Sequence, residues 1–103
     1  MVTPSQGEIW WAEAEDKRRP VVVVTRSEAV TVLSGVVVAP VTRSVRRIPT
    51  EIRLDEDSGL DVPCAASFDN LQVIPRSFLT ERVGALRQPR LDICRALAAL
   101  ADC

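Results

Sequence analysis

The sequence predicts a mainly β fold of the α+β class, in which a small, strongly curved antiparallel sheet or barrel is capped by a C-terminal amphipathic helix. Three observations lead to this prediction. Short strand-like segments follow one another at close intervals, two of them are rich in valine, and the apolar residues after Pro89 recur at helical spacing. With 103 residues, of which 47% are hydrophobic, the chain is expected to form one domain, residues 1–103, around one core.

The N-terminal half contains three predicted strands. Residues 8–13 are apolar and aromatic enough for a first strand, and the charged residues 15–19 that follow predict a loop. The β-branched run at residues 21–25 predicts a strand that is buried on both faces. Residues 35–42 form a second such run, in which Pro40 marks an edge or a bulge because it cannot donate a ladder hydrogen bond.

The middle of the chain is less regular. Residues 27–34 fit either a helical turn or a wide connection, and we take them as a loop. Residues 50–54 alternate polar and apolar side chains, which is typical of a strand with one exposed face. Residues 64–68 and 71–74 predict two short strands or a bent one, broken at Asp69-Asn70, a dipeptide suited to turns.

The chain is predicted to end in a strand and a helix. Residues 82–86 form the last strand, and Pro89 is a favourable first residue of a helix. Helical spacing predicts that the buried face of this helix consists of Leu91, Cys94, Leu97, Ala98 and Ala101.

Composition excludes several classes of protein. No segment has the roughly 18 apolar residues that a membrane-spanning helix needs, and the first residues do not resemble a signal peptide, so a cytoplasmic protein without membrane contact is expected. The chain has no histidine, and its three cysteines form no C-x-x-C pair, which argues against a metal site. A net charge of -1 argues against non-specific coating of nucleic acid.

Four segments, taken in order, resemble the MazF/PemK family of toxins. They are Gly7-Glu8-Ile9-Trp10-Trp11, Arg19-Pro20-Val21-Val22-Val23-Val24, Ala39-Pro40-Val41-Thr42 and Phe68-Asp69-Asn70-Leu71-Gln72. The closing Arg82-Val83-Gly84-Ala85-Leu86 and the helix after it are also similar to the end of the family. Each segment alone is weak, whereas the ordered set covers nearly the whole chain.

The resemblance implies an SH3-like barrel of the MazF/CcdB-like type that forms a homodimer. It implies sequence-specific cleavage of single-stranded RNA, held in a groove across the dimer interface, without metal or cofactor. It also implies a cognate antitoxin whose tail occupies the same groove. The residues agree with this chemistry, because a chain without histidine or a hydrolytic triad must take its nucleophile from elsewhere, and the ribose 2′-OH can attack the adjacent phosphate.

Arg19, Thr42 and Glu8 are the candidate catalytic residues because they match family positions. Arg19 can offer its guanidinium fork to the scissile phosphate, as charge stabiliser and as proton donor to the leaving oxygen. Thr42 can donate its hydroxyl to a non-bridging oxygen, and Glu8 is a candidate general base or a carboxylate that orients the arginine. Without the family pattern, each would be an ordinary structural or solvated residue.

Two further groups are candidate RNA-binding residues. Arg43, Arg46 and Arg47 form a basic cluster after Thr42, which would lie along the RNA backbone if it is not simply a solvated loop. The side chains of Asp69, Asn70 and Gln72 can read unstacked bases or brace the site, although ordinary turn chemistry also explains Asp69-Asn70. One branch of the family has a catalytic arginine where this chain has Ser67, so that branch's mechanism is in doubt here.

Two other functions fit the same fold. CcdB-like toxins share this architecture but inhibit DNA gyrase without cleaving nucleic acid, and fold alone does not separate them from ribonucleases. A catalytically silent RNA-binding barrel is the third interpretation. The pair Arg19-Pro20 and Pro40-x-Thr42 favours the ribonuclease, because neither an inhibitor nor a silent binder needs it.

Overall fold

The computed structural model describes residues 3–14 and 17–101, and it confirms the predicted mainly β fold with a C-terminal helix. The strands are β1 (Glu8–Ala14), β2 (Lys17–Val23), β3 (Gly35–Thr42), β4 (Glu51–Leu54), β5 (Cys64–Ser67), β6 (Gln72–Pro75) and β7 (Leu79–Ala85). The helices are α1 (Ser27–Val30) and α2 (Pro89–Leu100), and short 3₁₀ turns span Glu56–Ser58, Phe68–Asn70 and Arg76–Phe78.

All strand pairs are antiparallel, and β3 is the central strand of the sheet. The order is β4-β5-β3-β2-β1-β7, with β6 paired to β3 beside β5. On one side β3 pairs with β2, and on the other it pairs first with β6 and then with β5. This arrangement leaves a gap between β5 and β6 at the centre of the sheet.

The sheet curls until its two ends meet. Gly84 in β7 lies so close to the 3₁₀ turn after β4 that a Cβ added there would overlap the Ser58 carbonyl oxygen. Ser58 itself is buried. The sheet therefore forms a curled half-barrel, in which β7 at one end contacts the turn after β4 at the other end, backbone against backbone.

The valine run of β2 is buried on both faces, as predicted, because successive side chains of a strand point to opposite sides. Val22 and Val24 belong to the larger core inside the barrel, around Phe68 and Ile9. Val21 and Val23 belong to a second core on the other face, with Trp10. Two layers of apolar contact thus fix the position and orientation of β2.

The prediction for the buried face of α2 was wrong. Ile93 and Ala96 enter the barrel core, whereas Leu91, Cys94 and Leu97 are exposed. The helix is apolar on several sides, so spacing alone could not select the inner stripe. Its rotation is set where the helix begins, because Pro89 packs directly against Gly7, a residue at φ 85 that has no Cβ to obstruct it. The described part of the chain contains no helix with the length and apolar character needed to cross a membrane.

Three other boundaries differ from the predictions. Residues 17–19, predicted as a loop, belong to β2, where Arg19 pairs with Ala12 of β1. The first two residues of that predicted loop, Glu15 and Asp16, lie outside the described residues. Residues 27–30, taken as part of a loop, form α1, and β7 begins at Leu79 rather than at Arg82.

We predict that Gly84→Ala lowers the free energy of unfolding by about 1–3 kcal/mol, because the added methyl group must displace backbone at the barrel seam. Thermal and urea denaturation followed by circular dichroism will measure the loss. Gly35→Ala is the matched control, since its Cβ would meet only the Val73 side chain, at 2.9 Å, which can turn aside. Equal stability of the two variants would contradict this contact between the two ends of the sheet.

Candidate functional site

A cleft of about 470 Å³ opens on the face of the sheet where β3 changes partners. The pairing of β3 with β6 ends at Val38, and its pairing with β5 begins at Val41. Between them the 3₁₀ turn Phe68–Asn70 carries the chain from β5 to β6. The cleft is lined by Arg19, Pro40, Val41, Thr42, Ser44, Arg46, Ser67, Asn70 and Gln72.

Arg19 lies at this cleft because it is a strand residue, not a loop residue. Its neighbour Arg18 points the other way, over the ring of Trp11 at 4.3 Å and within 2.8 Å of the Glu81 carboxylate. The side chain of Arg19 makes no hydrogen bond or ion pair with another described residue. Its guanidinium, carried by the exposed end of β2, is therefore available to an anion in the cleft.

Thr42 is the last residue of β3 and brings its hydroxyl to the same cleft. The Thr42 Oγ1 atom accepts a hydrogen bond of 3.1 Å from the Ser44 backbone N–H. This contact fixes the oxygen and leaves the hydroxyl proton free to be donated. Thr42 can thus offer a donor to the anion that Arg19 would bind.

The loop after Thr42 is held by one buried carboxylate, that of Glu51. Its side chain is 1% exposed, and its Oε1 atom accepts hydrogen bonds from the backbone N–H groups of Arg46 at 2.9 Å and Arg47 at 3.2 Å. Its Oε2 atom accepts a third bond, of 3.0 Å, from Nε of Arg46. Glu51 therefore fixes both the backbone of the loop and the Arg46 side chain at the cleft.

The same carboxylate fixes an unusual backbone conformation. Arg47 has φ 56, in the left-handed region that residues other than glycine rarely adopt. The hydrogen bond from its own N–H to Glu51 supports that conformation. Burial alone would raise the pKa of the Glu51 carboxyl, but the hydrogen bonds and charge of Arg46, with the N–H of Arg47, outweigh burial and hold this pKa below its ordinary value.

Comparisons with known proteins show the family to which the chain belongs. Residues 5–101 match the family model described as PemK-like, MazF-like toxin of type II toxin-antitoxin system. The chain belongs to the PemK/MazF toxin family. A relative from Mycobacterium tuberculosis, named probable endoribonuclease MazF5, is 38% identical over 104 residues, which cover 97% of this chain and 94% of the relative.

Solved structures confirm the predicted fold of this PemK/MazF chain. The Mycobacterium tuberculosis toxin MazF-mt6 is 36% identical and superposes with a TM-score of 0.79, covering 88% of this chain and 92% of that one. An endoribonuclease in complex with its cognate antitoxin, from a mycobacterial species, has a TM-score of 0.80 over 94% of each chain. At 21% identity the second likeness concerns the fold alone.

The cleft of this PemK/MazF chain contains five of the nine residues singled out in the sequence. They are Arg19, Thr42, Arg46, Asn70 and Gln72. Nδ2 of Asn70 donates a bond of 3.0 Å to Ser67 Oγ, which turns the Asn70 side chain toward the protein, whereas the Gln72 amide makes no bond to a described residue. Gln72 is the more available of the two for a ligand.

Glu8 and three others do not line the cleft. Glu8 is four residues from Ala12, the β1 partner of Arg19, which is about 13 Å along the strand. Its carboxylate instead accepts bonds from the Ser5 backbone N–H at 2.7 Å and from Nε of Arg82 at 2.8 Å. The structure thus places Glu8 away from the cleft, where it braces β1 against β7, and a catalytic role for Glu8 stays a prediction.

The other three lie behind or beside the cleft. Asp69 accepts a bond of 2.7 Å from Thr50 Oγ1 and lies 3.6 Å from Nη2 of Arg46, so it braces Arg46 rather than facing a ligand. Arg43 and Arg47 are exposed on the loop and do not line the cleft, because the turns of the loop direct only Ser44 and Arg46 inward.

Glu51 and Ser44 belong to the site but were not predicted from the sequence, and Ser67 was noted only as the position where one branch of the family has an arginine. Glu51 stands on the polar face of an alternating strand, where a solvated carboxylate is the ordinary interpretation. The available signal was that Glu51 follows two arginines by four and five residues, but the contact between them depends on the geometry of the loop. Ser44 is a small polar residue with no sequence signal of its own.

We predict that Glu51→Gln destabilises the protein at neutral pH by about 1.5–3 kcal/mol, the usual contribution of hydrogen bonds to a charged group. Because the pKa of Glu51 is lowered on folding, its contribution is complete above the ordinary value of 4.5 and is lost as the pH falls through the lowered value. The stability difference between wild type and variant will therefore shrink in acid. Urea denaturation at a series of pH values measures it, with the exposed Glu28→Gln as control, and a difference that stays constant with pH would contradict the assignment.

Proposed function

We propose that this chain is a sequence-specific endoribonuclease toxin that cleaves single-stranded RNA without a metal ion. The observation that carries the proposal is that one open cleft contains both the hydroxyl of Thr42 and the guanidinium of Arg19, which has no ion pair with any described residue. Membership of the PemK/MazF family supports it, as does the name endoribonuclease given to the relative that is 38% identical. The endoribonuclease relatives favour RNA cleavage over the CcdB-like inhibition of gyrase.

In the proposed reaction the RNA supplies its own nucleophile. The ribose 2′-oxygen forms a bond to the adjacent phosphorus and loses its proton to water. The bond from phosphorus to the 5′-oxygen breaks, and the leaving oxygen, hydrogen-bonded to Arg19, takes up a proton from water. The products are a 2′,3′-cyclic phosphate and a 5′-hydroxyl.

The two protein groups stabilise the charge that builds up on the phosphate. Arg19 can donate two parallel hydrogen bonds to phosphate oxygens, because its planar guanidinium presents several N–H groups in a fixed fork. The Thr42 hydroxyl donates to a non-bridging oxygen from a position already fixed by the Ser44 N–H. Because the Thr42 hydroxyl is held before RNA binds, it needs little reorganisation as charge develops.

The proposal includes partners and a location. As a member of a toxin family of type II toxin-antitoxin systems, the chain acts as a homodimer and is neutralised by a cognate antitoxin that occupies the RNA groove. Its RNA substrate places it in the cytoplasm. Arg43 and Arg47, which are exposed on the loop beside the cleft, contact the RNA backbone beyond the scissile phosphate.

We predict that Arg19→Ala and Thr42→Ala each lower kcat for RNA cleavage at least about a hundredfold, because each removes a donor to the developing charge. Arg18→Ala is the matched control for the arginine, since Arg18 contacts Trp11 and Glu81 on the opposite side of β2. Thr42→Ser, which keeps the hydroxyl, should retain most of the activity. Full cleavage by Arg19→Ala or Thr42→Ala with an unchanged circular dichroism spectrum would remove that residue from the mechanism.

The activity itself is tested by incubating the purified protein with a mixed RNA in EDTA and mapping the new ends. Cleavage at a short recurring sequence, with 2′,3′-cyclic phosphate termini, is the expected result. No cleavage, or cleavage only after magnesium is added, would contradict the proposed function.

A further inference from the structure

A second hollow, of about 250 Å³, adjoins the cleft on the same face of the sheet. Arg19 and Gln72 line both spaces, so the two spaces lie side by side with these residues at their boundary. We call the first space the polar lobe and the second the apolar lobe. The apolar lobe is lined by Ala12, Ala14, Lys17, Arg19, Val21, Gln72, Ile74 and Phe78.

The hollow arises from small side chains on the β1–β2 hairpin. Ala12 pairs with Arg19 and Ala14 pairs with Lys17, so short methyl groups stand opposite the two long basic side chains. A strand residue and its cross-strand partner lie on the same face of a sheet. The alanines therefore leave a floor between the strands and β6, with the Lys17 and Arg19 charges at its rim.

Phe78 forms the wall of the apolar lobe and is held there by its 3₁₀ turn. Within that turn the Arg76 backbone N–H donates to the Ser34 carbonyl oxygen at 2.9 Å, and Nη1 of Arg76 donates to the Val30 carbonyl oxygen at 2.6 Å. These bonds tie the turn to the segment around α1. The aromatic ring is thus positioned before any ligand arrives.

We propose that the apolar lobe binds one unstacked nucleobase of the RNA, next to the phosphate held in the polar lobe. The base face lies against Phe78 and Ile74, and its edge meets the Gln72 amide, which offers both a donor and an acceptor. This inference rests on the proposed function. In this proposal the apolar lobe contributes to sequence specificity, because contacts to phosphate cannot distinguish one base from another.

Three features favour a base over another occupant. Single-stranded RNA is read by stacking unpaired bases on aromatic side chains and by hydrogen bonds to their edges, and the lobe offers both kinds of contact side by side. Gln72 and Ile74 are two residues apart on β6, about 6.6 Å, so the apolar surface begins directly beside the phosphate-binding end. The positive charges of Lys17 and Arg19 at the rim of the lobe would attract the sugar-phosphate backbone, from which the base would point into the lobe.

The test is a double-mutant cycle between the protein and the RNA. Once the cut site is mapped, substrates are made with an abasic ribose at each position next to the scissile phosphate. In the protein, Ala14→Leu fills the lobe without removing a core side chain, and Phe78→Leu removes the aromatic face but keeps an apolar one. Ala99→Leu, on the exposed face of α2, is the control for added bulk.

At one position the abasic RNA should be cleaved with a kcat/KM about 5- to 150-fold lower than the intact RNA, the range expected for loss of base stacking. Ala14→Leu should lower kcat/KM for intact RNA by a similar factor and should cleave that abasic RNA as well as the wild type does. Phe78→Leu should show a smaller loss on intact RNA and should therefore lose only part of the sensitivity to the missing base. Ala99→Leu should leave both substrates unchanged.

Other results would overturn the proposal. If Ala14→Leu and Phe78→Leu cleave intact RNA like the wild type, the lobe has another occupant. If their losses are the same on intact and abasic RNA, they act on the fold or on the phosphate site. In both cases the wild type still cleaves RNA, whereas absence of cleavage by the wild type would instead contradict the proposed function.

Discussion

The site depends on the way β3 pairs along one of its edges. Along that edge β3 pairs first with β6 and then with β5, and not with one continuous strand. An antiparallel sheet with a continuous neighbour along β3 would be flat and closed at this point, with no space for a ligand. Here β6 pairs as far as Val38, β5 starts at Val41, and the 3₁₀ turn Phe68–Asn70 occupies the interval. Pro40 stands in that interval, where a residue without an N–H leaves no ladder donor unpaired. The end of β3 can therefore present Thr42 to a ligand.

Ion pairs around this gap leave one cation of the cleft without an acidic partner among the described residues. Arg18 is neutralised by Glu81, and Arg46 lies between Glu51 and Asp69. Among the described residues that line the cleft, Arg19 is the one charged group without an ion pair. Within the cleft, an incoming phosphate therefore meets one guanidinium that has no ion pair with a described residue, whereas Lys17, Arg43 and Arg47 lie at its margins. Such a site favours one position of the RNA chain, as a cleavage reaction requires.

The sequence predicted those parts of the fold and site that depend on local pattern. The valine runs gave both central strands, because alternation and β-branching report burial directly, and the family motifs located Arg19 and Thr42. The buried face of α2 could not be predicted from local pattern, because the helix is apolar on several sides. The packing of Pro89 on Gly7 determines which of these sides faces the core. Glu51 could not be predicted for a different reason. Its role comes from the path of a loop with a left-handed residue, which no periodicity encodes.

Specificity is the remaining physical problem, because the chain has a net charge of -1 and little long-range attraction for RNA. A strongly basic nuclease gains affinity from counterion release along the backbone, which is the same for every sequence. This chain has few uncompensated cations at its cleft, so affinity must come from short-range contacts to bases. Arg19 and Gln72, which line both lobes, would then couple the reading of a base to the position of the phosphate. A base that fits poorly would shift the phosphate relative to Thr42. Misplacement of the reacting group by about 1 Å can lower the rate a hundredfold. Weak discrimination between bases in binding therefore becomes stronger discrimination in cleavage.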